Sequence, residues 1–371
     1  MNNTVDLFPA PRANDALLGH QSAEKELLHA WHSSRLPHAW LITGPRGIGK
    51  ATLAFRFARW ILSKGIASDT DLFDGNTELD SEQDLFVSPK HPSFHHITKG
   101  SHPNLLTVER SFDEKTKRLR KEIVVSDLRR VNSFFGSTAN DGGWRIVIID
   151  AADEMNRNSC NALLKILEEP PKLGLILLVA HIPGRLPPTI RSRCRSLSLK
   201  PLTHEECVQI IATQNKGVGE EDVRTLSLLA SARPGYALKL AHHNGIELYR
   251  EMMSLLDGLP ELDVDRLYEW SLGFARKDSD ARFDLLSDLL VNWITRGVFA
   301  SVKDEPFEEI AENEKRINQR LFSPEYTKLW LEIWDKVSEL IRLDGEQHLD
   351  RQQLIVTMFN YLANAVQDIK Q

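Results

Sequence analysis

A glycine-rich loop, a carboxylate closing an apolar run and an arginine beside a cysteine are the three places in this 371-residue chain where residue type and spacing point to chemistry. The loop is GPRGIGK, Gly44 to Lys50, between a β-type run, Trp40 to Thr43, and a helical pattern, Ala51 to Leu62. In that order glycines let backbone N–H groups close around phosphate oxygens, and the helix N-terminus adds positive potential. Lys50 would then reach the β and γ phosphates. A vestigial loop that keeps the shape without the ligand fits as well, and both readings stay open. The motif asks for Ser or Thr directly after the lysine to hold magnesium, whereas Ala51 stands there and Thr52 comes one place later. One residue along a helix turns a side chain by about 100°, which aims Thr52 elsewhere.

The apolar run is Ile146 to Ile149, and it ends in Asp150. Four consecutive branched apolar residues read as a strand buried on both faces, and nucleotides and metals bind at the C-terminal tips of such strands. Asn158 to Glu169 follows with Leu163, Leu164 and Leu167 at helical spacing and a stop at Pro170-Pro171. Plain α/β core would give the same spacing. Leu175 to Ala180 is the next buried strand, and beyond it Ser192-Arg193-Cys194 carries the third group.

The words themselves are more specific than their periodicity. NALLKILEEPP after the Asp150 strand, GPRGIGK before it and SRC after it stand in an order and spacing that resembles the clamp-loader subunits of bacterial DNA polymerase III, which are AAA+ proteins. The resemblance covers roughly residues 14 to 245 and weakens to a helical pattern beyond. It implies an ATP site formed by Gly44, Gly47, Gly49, Lys50, Thr52 and Asp150, and a trans-acting arginine finger at Arg193, aimed at a neighbouring subunit's γ-phosphate. It also implies partners: gamma/tau and delta subunits in a hetero-pentameric ring, with the sliding clamp and primer-template DNA reached through the complex. Active motors of the family place Glu after the strand-tip Asp to orient the attacking water, and this chain has Ala151. Where motors carry a polar sensor residue it has Ala180-His181, and near the second sensor arginine the closest cation is Lys239. The ATP site is therefore degenerate, with weak or vestigial binding, and the chain reads as a non-hydrolysing, finger-donating subunit of the loader. The alternative is an ATP-hydrolysing motor of the gamma/tau type. A third reading, a stand-alone P-loop scaffold, leaves SRC without a purpose, since a trans-acting finger needs a neighbour.

The elements that must position these groups set the fold class: an α/β AAA+ P-loop domain with a parallel sheet over 1–200, a helical lid over 201–256 and an all-α C-terminal collar domain over 257–371. Thr203 and Glu206 form a capping box that opens the lid, and Pro234-Gly235 starts its last helix. In the collar, Tyr326, Leu329, Trp330, Ile333, Trp334, Val337, Leu340 and Ile341 make one apolar stripe, and Leu354, Met358, Leu362 and Val366 another. Residues 1–16 read as a loosely held arm, and 65–104 as a flexible, solvated insertion, because acidic residues from Asp69 to Asp84 accumulate with no Lys or Arg between Lys64 and Lys90. In many members of the resembled family that place holds a four-cysteine zinc module, absent here; His91, His95, His96 and His102 read as surface histidines, so no metal is assigned. Leu105 to Val108 and Ile123 to Val125 are β-type runs around a basic tip containing Lys115, Lys117, Arg118, Arg120 and Lys121.

Composition bounds the rest. Forty-six basic against 52 acidic side chains give a net charge of -6, which argues against a free-standing nucleic-acid binder held by bulk electrostatics. Three cysteines, Cys160, Cys194 and Cys207, show no paired spacing and suit a reducing, cytoplasmic setting. No leader pattern opens the chain and no apolar run approaches membrane-spanning length, so no membrane partner is expected.

Overall fold

The apolar runs pair in parallel because each is separated from the next by a helix that carries the chain back along the sheet. The computed structural model describes residues 10–33, 35–64, 84–113, 118–136, 143–215, 217–275, 280–303, 309–347 and 350–370. It divides into two units, 1–214 with 232–236, and 215–231 with 237–371. In the first unit α1 is Gln21–His32, β1 Ala39–Thr43, α2 Lys50–Lys64, α3 Pro92–Thr98 and β2 Leu105–Val108. A short hairpin, β3 Phe112–Asp113 and β4 Arg118–Leu119, leads to α4 Val125–Gly136, β5 Arg145–Ile149, α5 Arg157–Glu168 and β6 Gly174–Ala180. Last come α6 Pro188–Arg191, β7 Arg195–Ser198 and α7 His204–Gln214.

The strand order is β2-β5-β6-β1-β7, all parallel. β6 thus lies between the strand that feeds the glycine loop and the strand that ends at Asp150. Alternation along each strand sends side chains to opposite faces. Trp40, Ile42, Ile146, Ile148, Leu175, Leu177 and Val179 meet Leu27 and Leu28 of α1 and Leu53, Ala54, Phe57, Ala58 and Ile61 of α2. On the other face Ala39, Leu41, Val147, Ile149, Ile176 and Leu178 meet Leu128 and Val131 of α4 and Cys160, Leu163 and Leu167 of α5. Burial on both faces is why these strands carry continuous apolar runs. The capping box forms as expected: Thr203 N donates to Glu206 Oε2 at 2.9 Å and Glu206 N to Thr203 Oγ1 at 3.2 Å.

Three sequence expectations are corrected. Ile123 to Val125 is not a strand: Ile123 makes one isolated parallel bridge to Met155, and Val125 starts α4. Asp127 favours the helix by accepting from Val124 N at 3.0 Å as a local N-terminal cap. The hairpin forms instead from Phe112-Asp113 and Arg118-Leu119; Lys115 and Lys117 lie outside the described residues. Within the arm, residues 12–15 are held rather than loose. Arg59 Nη2 donates to the Arg12 carbonyl at 2.9 Å, Arg56 donates to the Asp15 carbonyl, and Arg56 is paired with Glu24 at 2.9 Å, both buried. Residues 1–9 and 65–83, with most of the acidic run, lie outside the described residues. The remainder of the insertion is ordered: Leu85, Val87 and Ile97 join the α2 side of the core, and His91 caps α3 by accepting from Ser93 N at 3.1 Å.

The second unit is helical: α8 Glu220–Leu229, most of α9 Pro234–His242, α10 Gly245–Leu256, α11 Val264–Ser271, α12 Asp280–Lys303, α13 Glu314–Leu321, α14 Thr327–Gln347 and α15 Arg351–Lys370. Of the expected stripe, Trp330, Ile333 and Val337 are buried, whereas Trp334 is exposed. Leu354, Met358, Leu362 and Val366 are all buried. Among the described residues one helix, α12, is long and apolar enough by length and composition to cross a membrane; half of that window is buried, and Phe283, Leu286, Leu290, Trp293 and Ile294 make it the core helix of this unit. A buried polar cluster locks α10 to α13, with Tyr249 Oη donating to Glu314 Oε1 at 2.5 Å and Glu314 Oε2 accepting from Ile310 N and Ala311 N at 2.7 and 3.1 Å.

Beside it, Trp293, Phe322 and Trp330 pack ring on ring, with centroids 4.5 Å apart for Phe322 and Trp330. Gly297 of α12 lets the Phe322 ring in: a Cβ there would stand 2.3 Å from Cε2. Gly297→Ala should therefore destabilise the chain by about 1–3 kcal/mol through overpacking, despite the better helix propensity of alanine. Urea unfolding checks it. A gain of about 1 kcal/mol, the propensity effect alone, would show that the aromatic cluster yields without cost.

Candidate nucleotide-binding site

The glycine loop leaves the C-terminal end of β1, in the first unit, and ends where α2 begins at Lys50. Gly44 and Gly47 have φ of 142° and 84°, a region that other residues rarely adopt. A side chain would also collide there: a Cβ on Gly44 would stand 2.5 Å from the Leu199 carbonyl oxygen, and one on Gly47 2.8 Å from Tyr236 N. Gly235 N donates to the Gly47 carbonyl at 2.8 Å, so the backbone of 232–236 rests on the loop. His20 Nε2 bonds the Ile48 carbonyl at 2.6 Å and braces the loop from the other side. Lys50 is buried and turns back on its own loop, donating through Nζ to the Gly44 and Pro45 carbonyls at 2.7 and 2.5 Å. Burial lowers its pKa to about 8, against the opposing pull of Asp150 and Asp153.

Asp150 follows directly on β5, and the structure brings it within electrostatic reach of Lys50. Burial and the negative charge of Glu109 raise its pKa, opposed by the Ala151 N–H and by Lys50. At Ala151 the chain turns through the left-handed region, φ 59°, into a short 3₁₀ turn over Ala152–Glu154. Asp153 and Glu154, the next acidic residues, are engaged by other partners. Asp153 accepts from His181 N and Ile182 N at 2.9 and 3.0 Å, and Glu154 pairs with Arg110 at 2.8 Å. His181 stands at the tip of β6, and burial with the nearby Lys50 charge lowers its pKa to about 4, so its ring is neutral at physiological pH. Ala51 and Thr52 are the second and third residues of α2. Phosphate contacts are thus available from the loop and Lys50, while the hydroxyl at 51 and the carboxylate at 151 are missing.

Arg193 follows α6 and is partly exposed. Its Nη1 donates to the Thr189 carbonyl at 3.0 Å, and its Nη2 pairs with Glu168 Oε1 at 2.9 Å. These contacts lie with α5 and α6, not with the loop. Burial pushes the neighbouring Cys194 thiol up to about 12, which keeps it protonated. Among the described residues no group of three or more His, Cys, Asp or Glu could hold a metal. Two of the four insertion histidines are structural: His91 caps α3, and His102 is buried and accepts from Asn104 N at 3.2 Å.

Sequence reasoning missed His20 and the Gly235 contact, which join the loop to residues distant in the chain. Neither follows a spacing rule, although the Pro234-Gly235 start of α9 marked the second place.

A glycine loop between β1 and α2, an aspartate at the tip of β5 and a third strand between them define a P-loop domain, and with the helical second unit the chain has the AAA+ arrangement. Residues 19–203 match the family model described as DNA polymerase III, delta subunit. Over 157 residues the chain is 34% identical to DNA polymerase III subunit delta-prime of Pseudomonas aeruginosa, covering 42% of this chain and 41% of that one. It is 26% identical over 237 residues to subunit gamma of Buchnera aphidicola, covering 63% and 58%, and 27% identical over 229 residues to subunit tau of Bacillus subtilis, covering 61% and 36%. The matched stretches span less than two thirds of each relative. The chain belongs to the family of DNA polymerase III clamp-loader subunits.

The buried ammonium of Lys50 gives a test in pH. Between about pH 8 and pH 10.5 the unfolded chain holds a proton on this residue that the folded chain has released, so stability rises with pH across that window. Relative to Lys50→Met, the wild type should gain up to about 3 kcal/mol from the lower to the upper limit, with no change below the window. Denaturant unfolding of both proteins at several pH values measures this. A constant difference would mean that the lysine is free to reach water.

Proposed function

We propose that the chain is a delta-prime-type subunit of the DNA polymerase III clamp loader, one that lends Arg193 to an ATP held by a neighbouring subunit and does not itself hydrolyse ATP. The observation that carries the reading is a contrast within one unit. The home loop lacks the magnesium-holding hydroxyl at Ala51 and the water-orienting carboxylate at Ala151, while an arginine of the SRC word stands exposed after α6. The delta-prime relative from Pseudomonas aeruginosa supports it. ATP, if taken up, would meet the N–H groups of Gly47 and Gly49, with Lys50 leaving the Gly44 and Pro45 carbonyls for the phosphates. Magnesium would be poorly anchored there, so binding is weak or vestigial.

In this reading residues 1–200 are the AAA+ domain, 201–256 the lid and 257–371 the collar that joins gamma/tau and delta subunits in a hetero-pentameric ring. Through that ring the chain helps place the sliding clamp on primer-template DNA, in the cytoplasm. A guanidinium suits the finger role because its charge is permanent and its donors are fixed in a plane, so it stabilises charge that develops during transfer.

A second reading, a gamma/tau-type motor, draws on the longer matches to gamma and tau relatives, 63% and 61% of this chain against 42% for the Pseudomonas delta-prime. The two missing groups weigh against it. Turnover by the purified chain separates the two: no steady-state ATP hydrolysis above background is expected, and hydrolysis that Lys50→Ala abolishes would favour the motor.

The finger itself is tested by Arg193→Ala in a loader reconstituted with its partner subunits. Assembly should survive while DNA-stimulated ATP hydrolysis and clamp loading fall. A trans arginine contributes on the order of 10³ to 10⁵ in rate at the site it serves, so total turnover should lose that site's share. Unchanged rates in an intact complex would make Arg193 an ordinary surface residue.

A further inference from the structure

Glu168 is the last residue of α5, and Glu169 follows it. Carboxylates at a helix C-terminus oppose the helix dipole, so helix stability gives no reason for a negative charge there. Glu168 instead meets Arg193 across the packed α5 and α6 pair, Oε1 to Nη2 at 2.9 Å, while Thr189, one turn back on α6, accepts from Nη1 at 3.0 Å. A carbonyl on one helix and a carboxylate on another therefore hold one guanidinium. An arginine side chain has many rotamers, and a guanidinium held by a hydrogen bond from Nη1 and an ion pair at Nη2 keeps N–H groups of its fork for an outside acceptor.

We propose that Glu168 is a positioning residue for Arg193: its carboxylate oxygen and the Thr189 carbonyl fix the guanidinium plane so that the remaining N–H groups are presented to an oxyanion supplied by a neighbouring subunit. The proposal rests on the finger reading of Arg193. Glu168 touches no phosphate; it acts through its charge, by the ion pair with Arg193, and its effect belongs in the transition state, where the finger works. Both partners are partly exposed, the side chains at 36% and 51%, so the pair itself adds little to folding. Removing it should disturb orientation without disturbing the chain. An amide at the same place keeps the shape of the carboxylate without its charge.

The experiment uses the reconstituted loader with primed DNA and clamp, and measures ATP turnover against ATP concentration. Glu168→Ala should lower the rate at the site that Arg193 serves about two- to five-fold, the range of an exposed pair, so that total kcat falls by less than in Arg193→Ala, with KM for ATP, assembly and melting temperature unchanged. Glu168→Gln, which removes the charge and keeps the shape, should be as slow as Glu168→Ala, and Glu169→Ala, which alters the adjacent carboxylate, should leave kcat at the wild-type value. Adding Glu168→Ala to Arg193→Ala should cost nothing further. The proposal is overturned if Glu168→Ala turns over at or above the wild-type rate in a loader that Arg193→Ala slows, if Glu168→Gln keeps the wild-type rate, or if Glu169→Ala loses as much. Unchanged turnover in Arg193→Ala itself would remove the finger reading, and this one with it.

Discussion

The parallel ladder that places β6 between β1 and β5 fixes the candidate nucleotide site. Its register sets Thr43 beside Ala180 and Ile149 beside Leu178, so the three chain ends that carry the glycine loop, Asp150 and His181 emerge at one edge of the sheet. None of these groups could be placed by its own neighbours in sequence, since more than 90 residues separate Lys50 from Asp150. The ladder in turn depends on burial of both faces, because only side chains hidden from water on each side make a central parallel strand favourable. Asp153 extends this constraint past the strands: by accepting from the two amides after β6 it ties the turn after β5 to the next strand's tip. Such a carboxylate gives partners to N–H groups that the end of the strand ladder leaves without one.

Much of this was legible in the sequence because it rests on local rules. Branched apolar runs marked β1, β2, β5 and β6, Pro170-Pro171 marked the end of α5, and Thr203 with Glu206 marked the start of α7. The loop glycines were legible for the same reason: the conformations at Gly44 and Gly47 are ones that favour glycine. The illegible parts depend on partners far along the chain. Arg56 and Arg59 look like the polar face of α2, yet both are buried and hold the carbonyls of Arg12, Asn14 and Asp15. Ile123 to Val125 has strand composition, but a single local cap from Asp127 sets where α4 begins. Leu85 and Val87 sit at the margin of an acidic stretch, and composition averaged over that stretch hid an apolar pair that joins the core. The Glu168 contact belongs here too: α5 was legible and so was SRC, but their meeting was not.

Burial sets the electrostatics at the loop. Lys50 and Asp150 are both pushed toward their neutral forms by burial, and each is the other's partial compensation. In a magnesium-dependent site the metal would add positive charge beside Asp150 and draw it back toward the carboxylate form. With Ala51 in the hydroxyl's place the anchor for that metal is reduced. The lysine has meanwhile found acceptors within its own loop, so a phosphate must displace two hydrogen bonds before it gains any.

Why such a loop should persist has an answer that needs no ligand. The Gly47 carbonyl accepts from Gly235 N, and the two backbones approach until a Cβ on Gly235 would lie 3.1 Å from the Gly47 Cα. A Cβ on Gly47 would lie closer still to Tyr236 N, and one on Gly44 would meet the Leu199 carbonyl just after β7. Each of those two glycines is required by a packing contact of the first unit, apart from any requirement of phosphate. Lys50 likewise serves two carbonyls of the tight turn. The words GPRGIGK can therefore be kept by folding after the groups that hold magnesium and activate water are gone, and the motif alone does not measure nucleotide affinity. In this chain the chemistry has to be judged from what stands beside the motif, at residues 51 and 151, and from Arg193, whose guanidinium is held by a carboxylate of its own chain with donors to spare.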